Sequence, residues 1–563
     1  MNRALCTSLA VALFSLSCQS TNTAAAGHPE PAGGAWVSEP AITAADLRQR
    51  LYLIADDSLM GRETGSAGAF KTSAYIASEF KRLGLEPAGD SGTYFQSVPF
   101  WVVAVDPQSR LSTSGGTQLE LVKDFLPVSF AVPPKVLDKA PVVYAGSVAD
   151  TAHLIGSEGI AGKFVVIDVP PDRRGIGPLL GRYRDAATVG IVALENVGSE
   201  SIARIKEGRP VADTSRNPRA IPVVWLSRRA ASALLGSDPA SAAPGTTSAN
   251  TVSGQFDFSR KPVQFPARNV VGILRGSDPA LRNEYVSLSA HHDHVGFDRS
   301  PVEHDSLRAF NRVVRPMGAD SPMRPATDEE KVRIRAILDS LRKVHRPRPD
   351  SIRNGADDDG SGTVAILEIA EAFAGGARPR RSILFVSHTG EEAGLLGSRW
   401  YADHPTVPID SIVGEIDQDM IGRGTASDFP RGGTGAGSPT YLEVIGAKRI
   451  SREFGEMLEA ANAKQPVPFV FDYTYDAPGH PLQYYCRADH YSYARYGIPS
   501  VAFSRGEHLD YHQVTDEAQY ISYPDLARVA QMVHDGALAI ANAPERPKRD
   551  VPKPTDPNAP CRQ

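Results

Sequence analysis

The chain contains 563 residues, of which 41% are hydrophobic and 22% are charged. This is the composition of a soluble globular protein, and the length exceeds what one ordinary core holds, so we expect two or more domains. The formal net charge of -5 argues against a surface that binds nucleic acid or an anionic membrane.

The first residues have the pattern of an export signal. Arg3 precedes an apolar run over residues 4–16, which is too short to span a bilayer as a stable helix. We therefore predict a signal peptide over residues 1–17 and an exported protein. A flexible linker over residues 18–40, rich in Ala, Gly, Pro and Thr, is expected to follow.

The end of this signal is compatible with two kinds of mature protein. Leu16-Ser17-Cys18 resembles a bacterial lipoprotein signal, although Ser15 stands where that signal usually has leucine. A lipid on Cys18 would anchor a periplasmic protein, and it is the one membrane contact that we expect. Three alanines at residues 24–26 offer a plain cleavage site, which would give a secreted protein instead.

Two helices and a small insert are predicted next. Residues 41–129 read as the N-terminal part of the main domain, with helices over 44–54 and 69–83 and a Gly-rich turn at 61–65 between them. Over residues 130–258, short β-rich runs alternate with small helical pieces, and no cluster of His and carboxylates occurs. This texture predicts a small α/β insert with no activity of its own.

The main domain is predicted to continue over residues 259–543 as an α/β fold. Near-continuous apolar runs are typical of buried strands, and helix-patterned segments alternate with them. We therefore expect a mixed, mostly parallel sheet sandwiched by helices. The runs cover residues 269–274, 285–290, 382–387, 412–418 and 499–503.

Candidate ligands follow the ends of these predicted strands. His291, the pair Glu391 and Glu392, and Asp419 each come directly after an apolar run, and His512 follows more loosely. In sheets of this kind, ligands bind beyond the carboxyl ends of the strands. The shared position predicts that these side chains form one site.

An acidic loop over residues 354–363 precedes a helix-patterned run. Its three adjacent aspartates, Asp357, Asp358 and Asp359, repel one another unless a cation neutralises them, and the flanking glycines allow a tight turn. We interpret the loop as a metal site at the start of a helix. A solvated acidic turn is the simplest alternative if the loop is judged alone.

A calcium-binding EF-hand is a second alternative for this loop. Asp357, Asp359, Ser361, Gly362 and Glu368 match EF-hand positions. An EF-hand also needs a helix that runs into the loop, and the Pro-rich approach over residues 346–350 excludes one.

Two further segments of the chain, one charged and one Pro-rich, have patterns that predict their structure. Residues 298–350 are highly charged, and Thr327 with Glu330 predicts a capping box at the start of a helix. The tail over residues 544–563 is Pro-rich and is predicted to be disordered. We hypothesise that Cys486 and Cys561 pair in an oxidising compartment and close this tail onto the domain.

Five ordered motifs resemble the di-zinc aminopeptidase and glutamate carboxypeptidase family of exopeptidases. Two His and three carboxylates already suit zinc or a similar divalent ion on chemical grounds. In this family's order, the chain presents His291-x-Asp293, the run from Gly355 to Gly362, Glu391-Glu392, Asp419-Met420-Ile421-Gly422 and Tyr511-His512. The insert over 130–258 lies where relatives carry a protease-associated domain, which it resembles in pattern.

The resemblance implies a two-zinc site, with cobalt or manganese as possible substitutes. His291 and Asp419 would bind one ion, Glu392 and His512 the other, and Asp358 would bridge them. Asp293 would accept the far N–H of His291, and Glu391 would act as general base. The resemblance thus assigns a role to each of seven residues: His291, Asp293, Asp358, Glu391, Glu392, Asp419 and His512.

The chain departs from the family pattern in two places. The last active-site loop of the family often reads Ser-Asp-His, and here Arg487-Ala488-Asp489-His490-Tyr491 leaves the oxyanion donor open among Arg487, His490 and Tyr491. The segment over 298–350 is longer than the usual gap, and we hypothesise that it roofs the site and restricts substrate length.

The implied activity is hydrolysis of a terminal peptide bond in a peptide substrate, with an aminopeptidase favoured. A carboxypeptidase or dipeptidase on the same site remains an alternative, as do a single-zinc glutaminyl cyclase and a receptor-like scaffold without catalysis. The full ligand set disfavours the last two. The oligomeric state stays open.

Overall fold

The computed structural model describes residues 37–128, 134–170, 177–212, 220–322, 324–425, 427–429 and 437–563. The predicted signal peptide, Cys18, the alanines at 24–26 and most of the predicted linker lie outside these residues. Among the described helices, none has the length and apolar character needed to cross a membrane.

The helices of the described chain are, in order, α1 (Ala44–Ile54), α2 (Ala67–Arg82), α3 (Gly177–Leu180), α4 (Ser199–Glu207), α5 (Arg228–Leu235), α6 (His304–Val314), α7 (Asp328–Leu341), α8 (Gly360–Gly375), α9 (Leu396–Asp403), α10 (Arg452–Asn462), α11 (His490–Ala494) and α12 (Tyr523–Asn542). Thr43 and Ser66 cap the two N-terminal helices through their side chains.

The strands are β1 (Glu86–Pro87), β2 (Phe95–Ser97), β3 (Phe100–Val105), β4 (Arg110–Thr113), β5 (Gln118–Leu119), β6 (Phe125–Pro127), β7 (Lys135–Ser147), β8 (Phe164–Asp168), β9 (Thr188–Val192), β10 (Arg209–Ala212), β11 (Val223–Leu226), β12 (Thr247–Phe256), β13 (Phe258–Pro262), β14 (Arg268–Leu274), β15 (Tyr285–His291), β16 (Phe297–Glu303), β17 (Pro349–Ile352), β18 (Ser382–His388), β19 (Ile412–Gln418), β20 (Tyr441–Ile445), β21 (Val470–Asp472) and β22 (Ser500–Ser504).

The main sheet has nine strands in the order β1-β14-β18-β15-β19-β22-β20-β21, with β2 also paired to β14. Its centre, from β18 through β15 and β19 to β22, is parallel. The pairs β14–β18 and β20–β22 are antiparallel. The predicted mixed α/β fold is therefore confirmed, with parallel pairing concentrated at the centre of the sheet.

Successive residues of each buried strand point to opposite sides, so both faces of this sheet are apolar. Helices cover both of these faces. On one face, α1, α8 and α12 pack together over residues such as Val286 and Phe385. On the other face, Tyr401 of α9 and Tyr493 of α11 pack on Leu384 and Val386. The carboxyl ends of the parallel strands are left open to hold a site.

A separate eight-stranded sheet contains the predicted insert, in the order β5-β4-β12-β7-β8-β9-β11-β6. An apolar cluster packs on each of its faces, around Phe164 on one and Tyr183 on the other. Its strands begin at Arg110, before the predicted boundary at residue 130, because β4 pairs with β12 and β6 pairs with β11. Its identification as a protease-associated domain stays a prediction.

The charged segment over 298–350 folds beside the site. The predicted capping box is confirmed, since Thr327 and Glu330 bond each other's backbone at the start of α7. Strands β16 and β17 bring the two ends of the segment together as an antiparallel pair. The N–H of Ala319 donates to the carbonyl oxygen of Tyr511 at 3.0 Å, so the segment contacts the loop that carries His512.

The C-terminal tail follows α12 without further helix or strand. The sequence predicts disorder here, and the structure differs because the tail is tied down at its end. Cys561 forms the hypothesised disulfide with Cys486, and Gln563 Nε2 donates to the carbonyl oxygen of Tyr475 at 3.0 Å.

Candidate metal centre

The three adjacent aspartates of the acidic loop have different partners. Asp359 caps α8, because its Oδ1 accepts from the N–H of Gly362 at 2.8 Å. Asp357 Oδ1 accepts from the N–H of Gly422 at 2.6 Å. These two carboxylates therefore hold the loop, and Asp358 is left to face the candidate ligands.

A buried arginine joins this loop to the end of β15. Arg62 is 1% exposed, and its guanidinium donates to four backbone carbonyls. The acceptors are Ile54 and His292 at 2.9 Å, Asn354 at 2.5 Å and Gly355 at 2.9 Å. A residue from the N-terminal part of the chain thus fixes the spacing of two ligand-bearing loops.

His291 is the last residue of β15, and one edge of its ring faces Asp293 of the loop that follows. Its Nδ1 lies 3.1 Å from the backbone oxygen of Asp293 and 3.7 Å from the carboxylate. The resemblance implies that the carboxylate accepts this N–H. In this structure the carbonyl oxygen is the nearer acceptor, and the role of the carboxylate stays a prediction. The Asp293 carboxylate instead accepts from Thr64 Oγ1 at 2.8 Å and from the N–H of Glu391 at 3.2 Å.

The other four predicted ligands converge around Asp358. One oxygen of Asp358 lies 3.3 Å from His291 Nε2, and the other lies 2.9 Å from His512 Nε2. Glu392 Oε2 is also 2.9 Å from His512 Nε2, and Asp419 Oδ1 is 3.8 Å from His291 Nε2. Asp358 therefore lies between a pair containing His291 and Asp419 and a pair containing Glu392 and His512.

The charges of this cluster shift the pKa values of its members. Burial raises the pKa of Asp358, but contacts with His291 and His512 outweigh it and hold the pKa well below its usual value. Burial lowers the pKa of His512, but Glu392 and Asp358 raise it to about 10. A positive charge is stabilised among these carboxylates, as a cation site requires.

The surroundings of Glu391 shift its pKa in the opposite direction from that of Asp358. Burial raises the pKa of its carboxyl well above the usual value, and the carboxylates of Glu392 and Asp419 add to this effect. Its Oε2 lies 3.9 Å from His291 Nε2. Glu391 therefore favours the protonated form more strongly than the neighbouring ligands do.

Several ligand atoms are buried without a hydrogen-bond partner, which is costly unless a cation takes the place of the partner. They include His291 Nε2, Glu392 Oε1 and Asp419 Oδ1. Two groups have ligand atoms within 4.8 Å of one another: His294, Asp358, Glu392 and His512 in the first, and His291, Asp359 and Asp419 in the second. Nitrogen and oxygen donors in this arrangement fit divalent cations such as zinc.

Sequence reasoning missed His294, which belongs to the first of these groups. Its Nδ1 lies 2.7 Å from Glu392 Oε1. The available signal was the third histidine of the run His291-His292-Asp293-His294, which the five-motif resemblance leaves without a role.

A cavity of about 70 Å³ opens beside the cluster. Of the three oxyanion candidates, Arg487 lines it. His490 is fully buried, and neither of its ring nitrogens has a hydrogen-bond partner. Tyr491 lines a different cavity, next to the C-terminal tail. Sequence reasoning did not single out Tyr484, which also lines the cavity beside the cluster.

The polar wall of this cavity contains one guanidinium group, which is paired with carboxyl groups. Arg487 pairs with Asp320 at 2.8 Å and with Glu507 at 3.3 Å. Burial, together with the carboxylate of Asp320, raises the pKa of Glu507 to about 8. Tyr511 is a further phenol donor in this wall. The rest of the lining includes Met420 and other apolar side chains, so the cavity wall is partly charged and partly apolar.

Comparison with known proteins relates part of the chain to one family. Residues 269–537 match the description "Peptidase family M28". The match covers slightly less than half of the chain, and we call this part the M28 segment. The M28 segment contains all five predicted ligands and Glu391, and Arg62 lies outside it.

Curated relatives of the chain are similar over part of their length. A probable zinc metalloprotease of Pyricularia oryzae is 29% identical over 216 residues, which cover 34% of this chain and 43% of that protein. Leucine aminopeptidase 1 of Penicillium rubens is 32% identical over 200 residues, 34% of this chain and 48% of that protein. The chain thus spans less than half the length of these relatives.

Among solved structures, an aminopeptidase from Aneurinibacillus sp. strain AM-1 is 18% identical, with a TM-score of 0.49, over 91% of this chain and 96% of that one. A zinc aminopeptidase from Bacillus subtilis is also 18% identical, with a TM-score of 0.47, over 89% of this chain and 95% of that one.

Proposed function

We propose that this chain is a zinc-dependent exopeptidase that removes the N-terminal residue of peptides. The observation that carries the proposal is the convergence of the other four predicted ligands on Asp358, with Glu391 beside them at a cavity in the M28 segment. The names of the curated relatives, a zinc metalloprotease and leucine aminopeptidases, support the same activity.

Two zinc ions would polarise the scissile carbonyl and acidify water. The residues that would hold them are His291, Asp358, Glu392, Asp419 and His512. The residues of the chain supply the rest of the chemistry. Glu391 lines the cavity next to the cluster, so its carboxylate is placed to accept a proton from the attacking water.

Glu391 would then donate this proton to the leaving amine, which completes the proton transfer. Tyr511 is a phenol donor in the same cavity wall, which suits it to orient the substrate carbonyl.

The charges of the cavity favour an aminopeptidase over a carboxypeptidase. A carboxypeptidase needs a cation that is available to the terminal carboxylate of its substrate. The guanidinium in the cavity wall, Arg487, is already paired with Asp320 and Glu507. The carboxylates of Glu391 and Asp419 line the same cavity and suit a terminal ammonium group.

The size of the cavity favours a single apolar side chain. Its volume of about 70 Å³ is well below the roughly 300–1,000 Å³ of typical ligand pockets, and Met420 and Ile445 form part of its wall. We therefore propose that the substrate inserts one small or medium apolar residue here.

A panel of free-amine, N-blocked and C-amidated peptides tests this function. We expect cleavage of free-amine and C-amidated peptides, no cleavage of N-blocked ones, and loss of all activity with a chelator. Cleavage of N-blocked peptides, or activity in a protein that carries no transition metal, would reject the proposal.

Two variants test the roles of the residues. We expect Glu391→Gln to keep its metal and lose about 10²–10⁴ in kcat, whereas Asp358→Asn loses metal as well. Glu120→Gln, at an exposed carboxylate of the insert, is the control and should match the wild type. Near-normal turnover by Glu391→Gln would remove Glu391 from the mechanism.

We also propose that the segment over 298–350 limits substrate length. Asp320 of this segment reaches the cavity rim through its ion pair with Arg487. We expect Asp320→Ala to raise kcat/KM for long peptides relative to dipeptides. An unchanged ratio would contradict this role.

Export is a further proposal, and the Cys486–Cys561 disulfide supports it because such bonds persist in oxidising compartments. Mass spectrometry of the N-terminus, in membrane and soluble fractions, separates a lipid on Cys18 from cleavage near residues 24–26. An unprocessed cytoplasmic product would reject export.

A further inference from the structure

The side chain of His294 is fully buried and lacks hydrogen-bond partners on both ring nitrogens. Its backbone is fixed, because its N–H donates to the carbonyl oxygen of Arg62 at 3.2 Å and a β-bridge joins it to Glu63. A buried imidazole without partners is costly, and its nitrogens are expected to meet a ligand.

The ring faces the cluster around Asp358. His294 Nδ1 lies 2.7 Å from Glu392 Oε1 and 3.8 Å from Asp358 Oδ2. The short contact with Glu392 is not aligned as a hydrogen bond, since both atoms remain without a partner. The ring also stands edge-on to His512, with centroids 5.4 Å apart. One ligand atom of His294 therefore lies within 4.8 Å of ligand atoms of Asp358, Glu392 and His512.

The acidic loop leaves space for this ring. Gly355 has a φ of +55°, and a Cβ at this position would lie 2.4 Å from Cγ of His294. A side chain at residue 355 would therefore push the imidazole away from Glu392. The glycine and the histidine are fitted to each other, independently of the contacts with the carboxylates.

We propose that His294 is a sixth metal ligand, which completes a site with Asp358, Glu392 and His512. This inference rests on the proposed function, because it assumes that the cluster holds cations. The two sites are then unequal. One has four protein ligands, as closed zinc sites do, and the other has His291, Asp358 and Asp419, as open catalytic sites do.

A different role for His294 predicts a different result. If Nδ1–H only orients Glu392 from outside, a side chain that keeps a donor at that position preserves metal binding. Asparagine places its amide N–H₂ near the position of Nδ1, whereas phenylalanine keeps the bulk and removes the donor. His294→Asn and His294→Phe therefore separate a ligand from an orienting donor.

His292→Asn is the matched control. His292 is buried in the same loop, but its Nδ1 lies 2.9 Å from Ser387 Oγ and its ring belongs to neither ligand group. Zinc affinity and stoichiometry are measured on the metal-free full chain with competing chelators. X-ray absorption on the fully loaded proteins counts imidazoles per zinc.

We expect wild type and His292→Asn to bind two zinc ions, with about 1.5 imidazoles per ion (three rings over two ions). His294→Asn and His294→Phe should both weaken one site by more than about 100-fold, beyond the roughly 10–100-fold of an outer partner, and both should show about one imidazole per ion.

Two results would overturn the inference while leaving the proposed function intact. One is wild-type affinity at both sites in His294→Asn. The other is about one imidazole per ion in the wild type, a measurement that decides the question even if the variants do not fold. A wild-type protein that binds no zinc would instead overturn the proposed function itself.

Discussion

Replacing Arg62 by methionine should loosen both ligand-bearing loops. The guanidinium donates to four carbonyls, and the side chain is fully buried. Gly355 keeps a second donor, the N–H of Gly360, so methionine leaves three acceptors without a donor. At the lower end of about 1–3 kcal/mol for each orphaned group, the three together cost roughly 3 kcal/mol. Lysine keeps the charge and fewer of the bonds, so Arg62→Lys should cost about half as much.

Hydrogen exchange measured by mass spectrometry reads this local free energy directly. Amides over residues 288–295 and 354–363 should exchange about a hundredfold faster in Arg62→Met, since roughly 1.4 kcal/mol corresponds to a factor of ten. Arg324→Ala, which removes an arginine from a surface ion pair with Glu330, should leave these amides unchanged. Exchange in Arg62→Met within tenfold of the wild type would refute the reasoning.

Three further outcomes are expected. Replacing Cys486 and Cys561 by alanine opens a loop with a sequence separation of 75 and should cost roughly 4 kcal/mol of unfolding free energy, so an unchanged Tm would contradict this estimate. Burial and nearby carboxylates raise the pKa of Glu443 from 4.5 to about 8; the folded chain then holds a proton that the unfolded chain has released, and stability falls as pH rises between these values. Glu443→Gln should flatten the Tm over this window, and parallel curves for the two proteins would argue against it. Gly355→Ala should weaken zinc binding by about tenfold or more, whereas Gly84→Ala, with a positive φ but open space around its Cβ, should not; equal affinities would contradict the fit described for residue 355.

The main sheet was predictable because its central strands are buried on both faces. Such strands are continuous apolar runs, and the run over Ile412–Gln418 coincides with β19. The proximity of the candidate ligands was predictable because each follows such a run or belongs to a motif. The contact of His291 with the carbonyl of Asp293, rather than with its carboxylate, depends on ring orientation, which spacing does not determine.

Other features depend on pairings that are distant in sequence. Strands β4 to β6 are short and join the sheet of the insert through β11 and β12, which lie far along the chain. The sequence does not reveal these pairings, and the domain boundary at 130 stays a prediction. Arg62 lies in a Gly-rich turn whose composition indicates a bend but not its contacts. Tyr484 and Glu507 line the cavity from loops, where no period constrains the side chain.

The buried position of Arg62 bears on how the protein can be divided for expression. A recombinant fragment trimmed to residues 269–537 would keep the ligands and lose Arg62, along with Thr64, the partner of Asp293. It would also uncover the face of β14 on which Phe80 of α2 packs. The part of the chain that alignment detects is therefore not a part that can be excised, and a productive fragment must begin before α1.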